Sequence, residues 1–330
     1  MKVCIFGAGA IGGLIGARLA AAGSCEVSAV ARGATLAALR RDGWRLRSLG
    51  KLVASPAHAA EHAAEIGPQD LVIVAVKTTA MAAVAREIAP LLGPGTIVLP
   101  AMNGVPWWFC RSLTGAASGM QLQSIDPDGS IEAAIPGHRV LGCVVHASAS
   151  VSEPGLVEHR MGNGLIIGEP SGTGSARAAS LQKLFSAAGF DVTVSQRIHY
   201  DIWYKLWGNM TMNPVSAITG ATADRILDDD LVRSFCSSAM QEAAAIGALI
   251  GCEITQTAEE RHAVTRKLGA FKTSMLQDVE AARTLELDAL VAAVREIGAR
   301  VGVATPNIDA LFGIARLFAR TRGLYPDSAF

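Results

Sequence analysis

The first dozen residues constrain this chain more than any other feature. Val3-Cys4-Ile5-Phe6 is an apolar run of strand length, and Gly7-Ala8-Gly9-Ala10-Ile11-Gly12 follows it directly as a G-x-G-x-x-G that opens a helical pattern. Gly7 permits a tight turn, Gly9 lets the backbone approach a pyrophosphate, and Gly12 lets the helix pack closely on the strand. The backbone of Gly7, Ala8, Gly9, Ala10, Ile11 and Gly12 is therefore the expected cradle of a dinucleotide, because the amides of a helix's first turn lack internal acceptors and face the anion. Lys2, the apolar stretch and Ala20-Ala21-Ala22 superficially copy a signal peptide, but dinucleotide binding explains the glycines better. An NAD site presents an acidic side chain to the ribose about 20 residues further on. Here the second strand ends Ser28-Ala29-Val30-Ala31-Arg32. A guanidinium at that place can grip a 2′-phosphate and no carboxylate repels it, so NADPH is expected over NADH. The plain alternative is that Arg32 ends the strand in solvent, as Arg40 and Arg41 are expected to lie on a solvated helix face.

The rest of the first half alternates strand and helix. Strands are expected at 2–6, 26–31, 71–76 and 96–100, with helices near 10–22, 33–42 and 78–92, which predicts a parallel, doubly wound α/β sheet of Rossmann type. Further strand-like runs at 140–147, 165–168 and 191–194, with a helix over 175–188, extend that sheet to about residue 195. From His199 onward, 3.6-residue periodicity runs through 199–213, 227–250, 257–280, 285–302 and 306–320. The expected organisation is a dinucleotide-binding domain over 1–196 followed by an all-helical domain over 197–330. The Gly/Ser-containing stretch 115–130 reads as a surface excursion of the first domain.

Composition excludes several classes. Lys plus Arg equals Asp plus Glu at 29 each, so no net field attracts nucleic acid or an anionic membrane. The uncharged run 88–110 contains Pro90, Pro94, Pro100 and Pro106 and cannot be one membrane helix. Six scattered cysteines lack C-x-x-C spacing, which fits reduced thiols and a cytoplasmic protein. His58 and His62 have metal-pair spacing without a third ligand, so they read as a solvated helix and no metal is expected.

Three further segments carry polar residues where a site is expected. Val74-Ala75-Val76-Lys77-Thr78 and Met102-Asn103-Gly104 each follow a buried strand, at the carboxyl edge where ligands bind. In Trp203-Tyr204-Lys205-Leu206-Trp207-Gly208-Asn209-Met210-Thr211-Met212-Asn213-Pro214, the residues Lys205, Asn209 and Asn213 recur every four positions and share one helix face. Lys272-Thr273-Ser274-Met275-Leu276-Gln277-Asp278-Val279 and Leu285-Glu286-Leu287-Asp288 complete the set. Ser274 and Glu286 are about 120° out of phase on a straight helix, so both reach one site only if the helix breaks, with Thr284 as the expected cap of the next. Taken singly, a lysine, a glutamate and a serine in such places also serve as helix caps, dipole partners or buried hydroxyls.

Together these segments resemble the ketopantoate reductase (2-dehydropantoate 2-reductase) family over most of the chain. The resemblance implies NADPH-dependent reduction of ketopantoate to pantoate, in coenzyme A biosynthesis, with Lys205 as general acid. It further implies Glu286 as a catalytic partner that accepts from the substrate hydroxyl, and Ser274 as a donor to the substrate carboxylate. Asn209, Asn213 and Asn103 would contact substrate, with Lys77 and Asn103 on the cofactor side. A homodimer is compatible with an apolar helical surface. The chain departs from the family pattern at Ala223, Phe271 and Val291-Ala292. Those changes leave the chemistry intact and open the substrate to a related 2-oxo or 3-oxo acid. The alternative outside enzymology is an NADPH-sensing protein without turnover.

Overall fold

In this computed structural model, residues 1–327 are described. The chain divides into two compact units, one of Met1–Asn103 with Gly129–Asp201, the other of Gly104–Asp128 with Ile202 onward.

The first unit begins with β1 (Lys2–Phe6), α1 (Ala10–Ala22), β2 (Glu26–Val30), α2 (Gly33–Asp42), β3 (Trp44–Ser48), β4 (Lys51–Ser55), β5 (His58–Ala60), β6 (Gln69–Val74), α3 (Met81–Glu87) and β7 (Leu92–Pro100). It resumes with α4 (Ser130–Ala134), β8 (Gly142–Glu153), β9 (Leu156–Gly168), α5 (Ala176–Ala187) and β10 (Asp191–Ser195). A parallel sheet runs in the order β5-β2-β1-β6-β7, so the chain reverses its winding at β1. β1 and β6 are buried through Val3, Ile5, Leu71 and Ile73, as near-continuous apolar strands in a doubly covered sheet must be.

That sheet does not extend to residue 195 as the periodicity suggested. β8, β9 and β10 belong to a second, mixed sheet of order β10-β9-β3-β4, in which β8 pairs with β9. The strands missed by periodicity, β3 and β4, form a hairpin closed by Leu49 and Gly50, both at positive φ, the geometry of a two-residue primed turn. β5 occupies the place expected to be a solvated histidine helix: His58 opens the strand, and His62 precedes a single 3-10 turn braced by Glu65.

The second sheet explains why α1 carries glycine on more than one face. A Cβ at Gly12 would meet Ile5 and Ala75 of the first sheet's side at 3.0 Å, whereas one at Gly16 would lie 2.5 Å from the Trp44 ring and one at Gly13 would lie 2.6 Å from Val157. The helix therefore sits between two sheets and is apolar nearly all round, as a fully enclosed helix must be. Its one charged side chain, Arg18, donates to Gly189 O and Asn163 Oδ1 and lies over the Phe190 ring.

The second unit is helical: most of α6 (Ile198–Thr219), α7 (Ala223–Asp228), α8 (Asp230–Leu249), α9 (Ala258–Arg266), α10 (Ser274–Glu280), a π turn (Asp288–Ala292), α11 (Ala293–Val301) and α12 (Pro306–Arg320). The stretch expected as a surface excursion of the first domain belongs here through Asp128. Phe109 stacks on Trp203, Leu122 is buried, and the Glu296 carboxylate accepts from Gln123 N, Ser124 N and Ser124 Oγ. These contacts outweigh its polar composition. α6 runs on through Pro214 to Thr219 rather than stopping at Asn213. Burial of Met212, Val215 and Ala217 holds the helix together across the missing amide donor.

Candidate functional site

Two constellations stand out, one in each unit. In the first, a cavity of about 270 Å³ opens at the carboxyl ends of the central strands, lined by Gly7, Ala8, Gly9, Val30, Arg32 and Thr35 among others. This is where the winding reverses, the place an open α/β sheet offers a ligand. The glycines divide the work as their spacing predicts. Gly7 stands at φ +96°, and a Cβ there would lie 2.5 Å from Val76. A Cβ on Gly12 would lie 2.0 Å from Gly7 O, whereas one on Gly9 would meet nothing within 4 Å. Two glycines are thus demanded by the protein itself, and Gly9 is small toward the open cavity. The intrahelical ladder of α1 begins with Gly13 N donating to Gly9 O at 2.8 Å, so the amides ahead of it are directed out of the helix end. A pyrophosphate fits this cradle.

Arg32 is exposed at the rim, between β2 and α2. Among the described residues lining the cavity none is acidic. Arg40 and Arg41 are otherwise engaged: Arg40 Nε donates to Ala59 O, and Arg41 pairs with Asp42 at 2.7 Å. Lys77 and Asn103, both half-buried, follow the ends of the neighbouring strands β6 and β7. Sequence reasoning missed Thr35, which lines the cavity with Arg32. Its signal was available, since a residue three beyond Arg32 on a helix starting there faces the same way.

The second constellation is built on α6, which is clamped along one side. Trp203 Nε1 donates to Ala243 O at 3.2 Å, and Trp207 Nε1 to Met240 O at 2.7 Å, so two indoles one turn apart bind two carbonyls of α8. Gly247 makes room for the first indole, since a Cβ there would lie 2.6 Å from Trp203 Nε1. At 100° per residue, Lys205 and Asn209 fall on the side of α6 turned away from the two tryptophans, and Asn213 falls on its flank, about 80° from Trp203. Lys205 and Asn209 are half-buried and Asn213 is buried. Asn213 Nδ2 reaches Ser274 Oγ at 3.5 Å, which brings together residues 61 apart in sequence. Ser274 is the first residue of α10, whose cap is the Thr273 side chain accepting from Leu276 N.

The helix breaks between Ser274 and Glu286 as the phase argument requires: α10 ends at Glu280, and helix resumes at Leu287. Thr284 does not cap the new helix, which starts three residues later, directly after Glu286.

Residues 3–172 match the family described as Ketopantoate reductase PanE/ApbA, and residues 197–319 match that family's C-terminal part. The chain belongs to the ketopantoate reductase family. A 2-dehydropantoate 2-reductase of Mesorhizobium japonicum is 43% identical over 325 residues, covering 98% of this chain and 100% of that one. A solved structure, a putative ketopantoate reductase from Ralstonia solanacearum MolK2, shares 57% identity with a TM-score of 0.94 over 98% of this chain and 99% of that one. A 2-dehydropantoate 2-reductase from Geobacter metallireducens GS-15 is 26% identical, with a TM-score of 0.82 over 96% and 99%. This ketopantoate reductase family member is accordingly an oxidoreductase acting on CH–OH groups, with the Rossmann-type sheet and helical C-terminal domain of the family.

Two of the positions where this family member departs from the pattern are neighbours in space. Ala223 N donates to Phe271 O at 3.0 Å. Ala223 is buried in an apolar cluster with Met212, Val215 and Leu227, against which Phe271 packs. Val291 is buried in the π turn, and Ala289 of the same turn packs on Gly104, where a Cβ would lie 2.6 Å from its own.

Proposed function

We propose that this protein reduces ketopantoate to pantoate with NADPH, using Lys205 as the proton donor. The observation that carries the reading is the α6 stripe: three polar side chains in register on a helix whose other side is locked to α8, with Asn213 already at Ser274. A nicotinamide cofactor, when bound, supplies the hydride. The fit of such a cofactor rests on the Gly7–Gly12 turn, open in front of Gly9. Arg32, with no acidic side chain among the described residues lining the cavity, favours a 2′-phosphate and hence NADPH. Lys77 and Asn103 line the same edge of the sheet.

Lys205 sits half-buried beside Asn209, so its ammonium is partly desolvated and strengthens as a donor to an oxygen that gains negative charge. It stabilises that charge and then releases its proton to the same oxygen. Asn209 and Asn213 orient the substrate chain, Ser274 donates to its carboxylate, and Glu286 accepts from its hydroxyl. Ala223 and Phe271, apolar where the family pattern carries polar side chains, support a second reading, in which the preferred substrate is a related 2-oxo acid.

The test follows NADPH consumption with ketopantoate and a panel of 2-oxo acids, for wild type and Lys205→Ala. Ketopantoate turnover that falls by about 10² to 10⁴ in the variant supports reaction and residue together. Cofactor binding without turnover of any acid defeats the proposal and leaves a nucleotide sensor.

A further inference from the structure

The loop that carries Glu286 is held at both ends. On the α10 side, Ala281 N donates to Gln277 O at 3.1 Å, Arg283 N to Asp278 O at 2.8 Å, and the Arg283 guanidinium pairs with the Asp278 carboxylate at 3.0 Å. Ala282 is forced to φ +49° within this turn, a conformation that costs a non-glycine residue and persists only where surroundings impose it. On the other side, a strap formed by residues 321–327 lies across the loop. Leu285 N donates to Leu324 O at 2.9 Å, and Tyr325 Oη donates to Asp288 Oδ1 at 2.5 Å. Glu286 lies between these two anchor points, one residue after the first and two before the second.

The strap is itself fixed. Leu324 N donates to Ala319 O at 2.8 Å, Arg320 Nε donates to Pro326 O at 2.9 Å, and Leu324 and Tyr325 are buried. The Arg320 guanidinium lies 5.7 Å from the centre of the Tyr325 ring. Burial pushes the Asp288 carboxyl up, against the Tyr325 hydrogen bond that pulls it down. Asp288 also opens the π turn, a helix irregularity that recurs at functional positions. A tyrosine hydroxyl bonded there fixes the rotation of the first turn, and with it the direction in which the residue just before the helix leaves the loop.

We infer that Tyr325 is a positioning residue: through Asp288 and the Leu324–Leu285 bond it sets the orientation of Glu286 and thereby recognition of the substrate hydroxyl. This inference rests on the reading of Glu286 as the group that accepts from that hydroxyl.

The experiment compares ketopantoate with 3,3-dimethyl-2-oxobutanoate, the deoxy acid in which a methyl group replaces the hydroxymethyl group, in wild type, Tyr325→Phe and Asp288→Asn. Tyr325→Phe keeps the ring and loses only the hydroxyl. The expected result is a rise in KM for ketopantoate on the order of ten-fold, from loosening a hydrogen bond to a charged acceptor, with kcat/KM for the deoxy acid unchanged. Asp288→Asn keeps an acceptor oxygen but removes its charge, and is expected to raise the ketopantoate KM in the same direction as Tyr325→Phe by a smaller factor, again with the deoxy acid unchanged. Adding Tyr325→Phe to Glu286→Gln is expected to change nothing further.

Equal losses on both acids, tracking a lower Tm, would reduce Tyr325 to a structural residue and overturn the inference. So would an unchanged ketopantoate KM. If wild type fails to prefer ketopantoate over the deoxy acid, the role of Glu286 fails first, and the wild-type comparison alone reveals it.

Discussion

Gly9 and Gly12 belong to one motif, yet alanine at each should fail in a different way. At Gly12 the added carbon would lie 2.0 Å from Gly7 O and 3.0 Å from both Ala75 Cβ and Ile5 Cγ2, so backbone has to move. Overpacking of this kind costs about 1–3 kcal/mol, which lowers Tm by roughly 2–10 °C in a chain of this size. At Gly9 the carbon would meet nothing within 4 Å, and the residue stands at φ −77° and ψ −153°, extended backbone that an L residue adopts. Gly9→Ala should therefore leave the Tm of the cofactor-free protein unchanged, or raise it slightly by the ~0.4–1 kcal/mol gained from a less flexible unfolded chain. Its methyl group instead occupies the space a pyrophosphate needs. Losing one amide contact to a charged ligand costs about 1.5–3 kcal/mol, or roughly ten- to a hundred-fold in Kd. Calorimetric melting without cofactor, paired with fluorescence titration of NADPH, separates the two effects. The reasoning fails if Gly9→Ala melts as low as Gly12→Ala, or if it binds NADPH as tightly as wild type.

Other perturbations reach the remaining parts of the argument. Arg32→Ala should weaken NADPH about ten-fold or more while leaving NADH affinity within a factor of about two, if the guanidinium grips the phosphate that only the former carries, as proposed; equal losses for both would return Arg32 to a surface role. Trp207→Phe removes the 2.7 Å bond to Met240 O and leaves a buried carbonyl without it, so a denaturation midpoint equivalent to a loss of about 1–3 kcal/mol is expected. His262 is buried beside Ser237 Oγ, and desolvation lowers its pKa below the ordinary 6.5, with Glu259 pulling the other way. The folded state thus resists a proton that the unfolded chain accepts, so stability should fall as pH drops below about 6.5. His262→Gln should flatten that part of a Tm–pH curve, and an unchanged slope would assign the acid sensitivity elsewhere.

What the sequence made legible follows from how local each signal is. β1 ends at the Gly7 turn, α1 and α2 end at Gly23 and Gly43, both at positive φ, and the stripe on α6 needs only helical spacing. The second sheet was not legible because its partners are distant: β3 pairs with β9 through Arg45–Leu156 and Leu46–Val157, and a short strand such as Trp44–Ser48 carries too few residues to reveal its period. Two of its outward positions are arginines, Arg45 and Arg47, which meet Glu153 and Glu158 and disguise the strand as a polar loop. The step from Ser274 to Glu286 was partly readable, since phase alone required a break. Nothing local announced that Leu324 and Tyr325 hold that break in place.

The glycines on opposite sides of α1 tie the cofactor cradle to parts of the protein that never approach it. Gly16 rests on Trp44, Gly13 on Val157 and Gly12 against Ile5 and Ala75, so the helix has almost no free side on which to shift. Its N-terminal amides inherit their aim from the second sheet as much as from the first. An engineer probing cofactor preference would begin at Arg32 and Thr35, which line the cavity. One who repacks β3 or β9 for stability will be retuning nucleotide affinity from behind, through a helix that behaves as a shim cut to fit.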